Sequence, residues 1–262
     1  NEYTSDAYMF NRYSFKSLIM RYALYNGRYE LAARLAKEIM DSGKYQLHNN
    51  YANLFNYQAD KTNREFIMKF DMASHDNSAT NSFRDLAPQF RTGNGQSYVV
   101  PTKSLVDSYW TLQGRTIDNC PLHTKQEYEL NPKLNRDPRL AATTVEFGSA
   151  FLDYIYDPRP SATNTIQVST GTSVKNKDCK PGSKDCSYNG LVLRKHVDEE
   201  WIDDKKTDAP ARIIRYADVL LMYAEAKLEL GEIDQSLYDA VNAVRARTYK
   251  CAVTETTKYP AI

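Results

Sequence analysis

The sequence predicts a mainly α protein in which two helical hairpins form a platform and a large, loop-rich insertion carrying short strands lies between them. Three observations predict this. Apolar residues recur at three- and four-residue spacing over 10–43 and again over 210–249. Asn-Gly or Gly punctuation divides each of these stretches in two. The stretch between them, 44–209, is mixed in pattern and rich in polar turns.

In the first hairpin, Phe15, Leu18, Ile19, Tyr22 and Ala23 form one stripe, and Leu31, Leu35 and Ile39 form a second after Asn26-Gly27. Ser42-Gly43 closes the second helix, and helices joined so tightly must run antiparallel. Ala32, Ala33 and Ala36 stand where two helices approach closely, as in the second helix of a tetratricopeptide-type hairpin. Within the insertion, Glu65–Met72 and Leu191–Val197 have the length and apolar content of strands, and Thr102–Leu112 is helical after Pro101. His75–Ser82 and Ser161–Ser173 are polar and turn-prone, and loops of this length usually serve binding. Pro210 suits the first turn of a helix whose stripe is Ile213, Ala217, Leu220, Leu221, Ala224 and Leu228. Gly231 ends it, Asp234 caps the next helix, and Leu237, Ala240, Val241 and Val244 carry that helix to about Thr248.

The 262 residues suit one large domain or two modest ones. At 42% hydrophobic and 26% charged, the composition is that of a folding chain. Lys plus Arg (34) nearly cancels Asp plus Glu (33), so the basic footprint of a nucleic-acid binder is absent. The longest apolar run is Val219–Ala224, far short of the roughly 20 residues of a spanning helix. Twenty Tyr stand against 10 Gly and 10 Pro at a mean hydropathy of −0.64, and Tyr suits wet surfaces and stacking on polar ligands. Without a charged leader, the chain reads as an interior piece of something longer, with a mature N-terminus as the alternative.

Few residues form a catalytic pattern. Cys179 and Cys186 flank a Pro-Gly turn, a short loop suited to a disulfide in an oxidising compartment. Cys120 and Cys251 leave three connectivities open. The spacing and the scattered histidines do not suit a metal site, so no metal is expected. Five acids surround Trp201 in Asp198–Asp204, which reads as a solvated face; a glycoside hydrolase using Asp203 or Asp204 is the less favoured alternative.

Four segments in order resemble a known family. Arg215-Tyr-Ala-Asp-Val-Leu-Leu-Met-Tyr-Ala-Glu-Ala226, followed by Val241-Asn-Ala-Val-Arg-Ala-Arg247, is similar to a paired-helix signature of the SusD/RagB family of outer-membrane nutrient-binding lipoproteins. Asn135-Arg-Asp-Pro-Arg-Leu140, Pro101-Thr-Lys-Ser-Leu-Val-Asp-Ser-Tyr109 and Ser42-Gly-Lys-Tyr-Gln-Leu47 resemble three further family segments. Residues 1–262 would then be the central part of one such domain, an α/α superhelix of tetratricopeptide-like hairpins. The family's anchor-bearing N-terminal segment and its C-terminal segment would lie outside this stretch. Beside the resemblance, Asn135–Leu140 reads as a turn in which Asp137 and Arg139 hold the insertion onto the platform.

The resemblance implies a non-catalytic, lipid-anchored protein on the surface of the outer membrane. Such a protein takes oligosaccharides, or in some relatives peptides, and passes them to a SusC-like TonB-dependent transporter. Its ligand contacts would be aromatic stacking plus side-chain hydrogen bonds, needing no cofactor, and Tyr98, Tyr109, Trp110 and Trp201 are the candidates. For Tyr109 and Trp110, on a helix, a place in the core is an equal reading. A helical-repeat adaptor for a protein partner is the competing function. Among the other tyrosines, Tyr22, Tyr216 and Tyr223 fall on helices and read as packing, while Tyr154, Tyr156 and Tyr188 fall where a polar ligand can meet them.

Overall fold

The computed structural model describes residues 10–56, 63–70, 86, 99–179, 186–199 and 209–262. The chain is mainly helical with short strands and divides into two compact units. One comprises Asn1–Leu54, Ala59–Met72 and Pro210–Ile262; the other comprises Phe55–Gln58 and Ala73–Ala209.

The first unit contains α1 (Arg12–Tyr25) and α2 (Tyr29–Asp41). Asn11 caps α1: its Oδ1 accepts from Tyr13 N and Ser14 N, and Ser14 Oγ accepts from Asn11 N in return. Gly27, at φ 68°, takes the left-handed conformation that lets the chain reverse into α2. The buried face of α1 differs from the expected stripe. Ser14, Ser17, Met20, Ala23 and Leu24 are inward, whereas Phe15, Ile19 and Tyr22 are 53%, 49% and 69% exposed. Two serines can face inward because their hydroxyls bond to Asn11 O and Ser14 O of the helix itself. On α2, Ala32, Ala36 and Ile39 are fully buried, as the alanine spacing predicts.

Pro210 does not open a helix. It precedes β6 (Ala211–Arg215), which pairs antiparallel with β1 (Phe66–Phe70), Phe66 opposite Arg215 and Phe70 opposite Ala211. This pairing draws 59–72 into the helical unit, so the insertion is shorter than 44–209. α6 (Tyr216–Glu229) then starts at the end of β6, and α7 (Gln235–Thr248) follows with Asp234 as its N-cap. Ala217, Leu220 and Ala224 join the core with Leu237, Ala240 and Val244, while Leu221 and Leu228 face out. Tyr223 is buried with its hydroxyl against Ser236 Oγ, 2.9 Å away, and Tyr22 is the exception to the expected packing role.

Glu65, fully buried, sits at the centre of this unit. Its carboxylate accepts from Arg215 Nη1 at 2.7 Å, Arg247 Nη1 at 2.7 Å and His48 N at 2.7 Å. Arg215 also pairs with Asp218 at the start of α6, an i, i+3 contact.

The second unit holds α3 (Lys103–Ser108), α4 (Lys125–Leu130) and α5 (Pro138–Thr143). Two small hairpins accompany them, β2 (Ala150–Phe151) with β3 (Tyr154–Ile155) and β4 (Asn164–Ile166) with β5 (Ser173–Lys175). A bridge between Tyr154 and Gln167 joins the hairpins. The expected helix Thr102–Leu112 stops at Ser108, and Tyr109 is extended. The expected strand Leu191–Val197 is reduced to one bridge, Leu193 to Thr144. Arg194 N and Lys195 N both turn toward Thr143 O, and His196 sits at φ 70°, which ends any extended run.

Candidate ligand-binding site

Among the described residues, a cavity of about 460 Å³ in the second unit is formed to receive a small ligand. Its floor is apolar, from Val106 on α3 and Leu191, with Phe147 beside them; Val106 and Leu191 pack on the fully buried Leu140. Pro132, Pro158 and Pro160 supply rigid walls, and Tyr128 of α4 closes one side. Tyr128 is 3% exposed. Burial, with the Cys120 thiol beside it, pushes its hydroxyl up to about 12, so it serves as a neutral phenol.

Charges stand around this floor in bound pairs. Lys103 Nζ lies 2.6 Å from Asp107 Oδ2. Arg159 grips Asp157 with two prongs, Nη2 to Oδ2 at 2.5 Å and Nε to Oδ1 at 2.8 Å. The same contacts hold the Asp157 carboxyl below the usual carboxylate range against the opposing effect of burial. Glu129 and Asp178 also line the cavity.

The lip is the segment 186–191, and its backbone is pinned. Asn189 Nδ2 donates to Pro101 O at 2.7 Å, and Leu191 N donates to Asn189 Oδ1 at 3.0 Å. Gly190 takes φ 73°, and a Cβ there would lie 3.3 Å from Pro158, so a larger residue would push the lip off the wall. Tyr156, 1% exposed, donates its hydroxyl to Gly190 O at 2.8 Å. Between these anchors Tyr188 projects outward and is 84% exposed. An aromatic ring held at the lip of an apolar cavity is suited to stacking on the C–H face of a polar ligand.

The segment Asn135–Leu140 builds the frame rather than the lining. Arg136, 5% exposed, donates through Nη2 to Val106 O at 2.5 Å and Tyr109 O at 2.7 Å, and through Nη1 to Pro132 O at 3.1 Å. Its guanidinium also lies 5.4 Å from the centroid of the Tyr128 ring. One cation thus satisfies the carbonyls at the end of α3 and ties α3, the Pro132 turn and α4 together. Because Arg136 takes these carbonyls and Thr111 bridges to it, the chain leaves the helix at Tyr109. Asp137 caps α5, accepting from Arg139 N at 2.8 Å, and its carboxylate is held by the Arg139 side chain at 2.6 Å. Asp137 and Arg139 thus secure the start of α5 within the second unit.

Of the residues expected to touch ligand, Tyr98 and Trp201 lie outside the described residues, as do Asp203 and Asp204. Tyr109 packs on the Val106 and Leu140 cluster with its hydroxyl 3.0 Å from Thr143 Oγ1, a core position. Trp110, whose carbonyl accepts from Asp137 N, is 41% exposed and does not line the cavity. Tyr188, grouped in the sequence with Tyr154 and Tyr156, is the tyrosine of that set at the lip. No disulfide joins Cys179 to Cys186 in this structure. Cys179 is buried with Sγ 3.5 Å from Ala162 O, directed into the base of the β4–β5 hairpin, while Cys186 lines the cavity. Among the described residues no group of three or more His, Cys, Asp or Glu side chains is placed to hold a metal, and no helix is long and apolar enough to cross a membrane.

Lys133, next to the Pro132 wall, donates to Thr144 O, and burial lowers its ammonium from 10.5 to about 7. Between about pH 7 and 10.5 the unfolded chain keeps a proton that the folded chain has released. Stability therefore rises with pH across that window, by up to about 1.4 kcal/mol per unit, and the burden is greatest below it. Urea titrations at pH 7, 8 and 9 should show this rise in the native protein and a flatter profile in Lys133→Met; identical slopes would refute it.

Comparison with known proteins places this geometry. A sequence model described as the SusD family matches residues 64–261. A SusD-like carbohydrate binding protein from Bacteroides fragilis NCTC 9343 is similar in structure at a TM-score of 0.74 and 22% identity, over 95% of this chain and 45% of that one. A second SusD-like protein from the same strain gives 0.62 and 23%, over 91% and 47%. A SusD superfamily protein from Parabacteroides distasonis ATCC 8503 gives 0.57 and 21%, over 94% and 46%. The chain thus spans about half the length of these solved relatives. No curated protein matches the sequence.

Proposed function

The chain belongs to the SusD family, and from that premise we propose that it is part of a non-catalytic glycan-binding protein that takes up oligosaccharide through the Tyr188 cavity and delivers it to a SusC-like TonB-dependent transporter. SusD-like proteins are carbohydrate-binding, and the similar Bacteroides fragilis structure is described in those words. The family is generally associated with the outer membrane, which supports the reading of a cell-surface protein held by a lipid anchor.

One observation carries the reading at the level of the site: an aromatic ring 84% exposed at the pinned lip of an apolar cavity. Stacking and hydrogen bonding on a preformed surface suffice to capture a sugar, with no bond broken and no cofactor required. Tyr188→Ala should leave the fold intact, because so exposed a side chain supports little packing. The same change should weaken glycan binding by roughly tenfold or more, the cost of an aromatic anchor. Calorimetry and affinity electrophoresis against polysaccharides and peptides test this. Unchanged affinity in Tyr188→Ala would exclude the cavity as the site, and release of shortened sugars would restore the hydrolase reading.

A further inference from the structure

We infer that Asn189 is the positioning residue of this site: by tying the turn that carries Tyr188 to the backbone at Pro101, it holds the ring where it meets a ligand. The inference rests on the reading of the Tyr188 cavity above and deepens it. Tyr188 occupies the second place of a four-residue turn, Ser187–Gly190, closed by Gly190 N donating to Ser187 O at 3.3 Å. Ser at the first place and Gly at the fourth are residues that such turns favour. A corner position turns its side chain away from the chain, in keeping with the 84% exposure of Tyr188. It does not by itself fix where the corner stands over the cavity.

Asn189 supplies that second constraint. Its Oδ1 accepts from Leu191 N at 3.0 Å and from Ser187 Oγ at 3.1 Å, so one oxygen gathers both ends of the turn. Its Nδ2 donates to Pro101 O at 2.7 Å, across 88 positions of chain. Leu191 N, a donor, and Pro101 O, an acceptor, decide which end of the amide is which. Pro101 is buried and stands directly before Thr102, the N-cap of α3, whose Val106 contributes to the cavity floor. The residue next to the ring is thus fastened to the element that supplies the floor, and ring and floor keep one spacing. Asn suits both tasks because its amide presents an acceptor and a donor together. Asp keeps the acceptor but sets a second oxygen against Pro101 O. Ser keeps an uncharged acceptor for the turn and is too short to reach Pro101 O as well.

A ring found in its binding position only part of the time binds more weakly in proportion. One hydrogen bond of ordinary net strength can shift that fraction by up to roughly fivefold. The test uses the full-length protein with Asn189→Asp, Asn189→Ser and Tyr188→Ala, and with each Asn189 change combined with Tyr188→Ala. Without ligand, amide exchange at Gly190 and Leu191 should quicken by roughly fivefold in both Asn189 variants. Circular dichroism and the unfolding midpoint should stay unchanged, since Asn189 lies at the surface. Binding is measured against xylan, amylose, mixed-linkage β-glucan and pectin fragments. Wherever Tyr188→Ala weakens binding, each Asn189 variant should weaken it by roughly three- to fivefold. In the Tyr188→Ala background the same changes should add little, because no ring remains to be positioned. Exchange at the wild-type rate or unchanged affinity overturns the inference, as does a loss in Asn189→Asp without one in Asn189→Ser, which would be an effect of charge. An equal loss with and without Tyr188 also overturns it, making Asn189 a ligand contact. Absence of Tyr188-dependent binding to every one of these glycans overturns the glycan reading of the cavity, and the positioning role falls with it even where exchange is quickened.

Discussion

Glu65→Ala should destabilise the protein by about 3–5 kcal/mol, the scale of loss when one partner of a buried ion pair is removed. The carboxylate is fully buried and joins Arg215, Arg247 and the amide of His48. Burial already lowers the Arg247 pKa and Arg215 adds to that, while Glu65 most strongly, with Tyr51, opposes both. Truncation leaves two guanidinium groups facing one another without the charge that reconciles them, and His48 N without its acceptor. Glu65→Gln, which keeps an oxygen for His48 but loses the charge, should fall between Ala and wild type. Replacing Glu65, Arg215 and Arg247 together by apolar residues of similar size should recover much of the loss, since no unpaired charge is then buried. Urea unfolding would read this as a shift in midpoint at constant slope. A loss below about 1 kcal/mol in Glu65→Ala would show that water reaches the triad and that it contributes no more than a surface pair.

Arg136→Ala should cost about 3 kcal/mol, because one buried cation serves Val106 O, Tyr109 O and Pro132 O and stacks on Tyr128. Arg136→Lys should recover little of it: a single ammonium on a flexible stem cannot span three carbonyls from a planar face. Val106, Pro132 and Tyr128 all line the cavity, so the Lys variant should also lose ligand affinity while retaining its secondary structure. Circular dichroism alongside calorimetry separates the two effects. Full stability in Arg136→Lys would mean that charge alone, without the fork geometry, holds α3 to the Pro132 turn.

These two predictions show where the sequence is legible. The hairpin α1–α2 is readable because its limits depend on neighbours: Asn11 with Ser14 at one end, Gly27 at the turn. Asp137 and Pro138 likewise act within a few residues, but their spacing reads equally as a turn, and the structure makes it the cap of α5. The buried side of α1 is not readable in that way, because Phe15, Ile19 and Tyr22 repeat with the same period as Ser14, Ser17 and Met20. Only contact with α2 and α6 decides which stripe turns inward. Glu65 is illegible for a different reason: it meets Arg215 and Arg247 across 150 and 182 positions of chain. No local pattern specifies a partner so far away. β6 was hidden by the apolar stripe it shares with α6, since five residues after a proline satisfy either period until β1 lies beside them.

The division is sharpest among the tyrosines. By itself the sequence determined a helical platform, a polar insertion and an excess of Tyr suited to stacking, because periodicity, capping and composition act locally. It could not say which tyrosine meets a ligand. Tyr156 and Tyr188 stand in similar polar, turn-rich surroundings, yet one is 1% and the other 84% exposed. What separates them is tertiary: Gly190 lacks a Cβ where Pro158 approaches, Tyr156 reaches inward to its carbonyl, and the lip so fixed turns Tyr188 out to water.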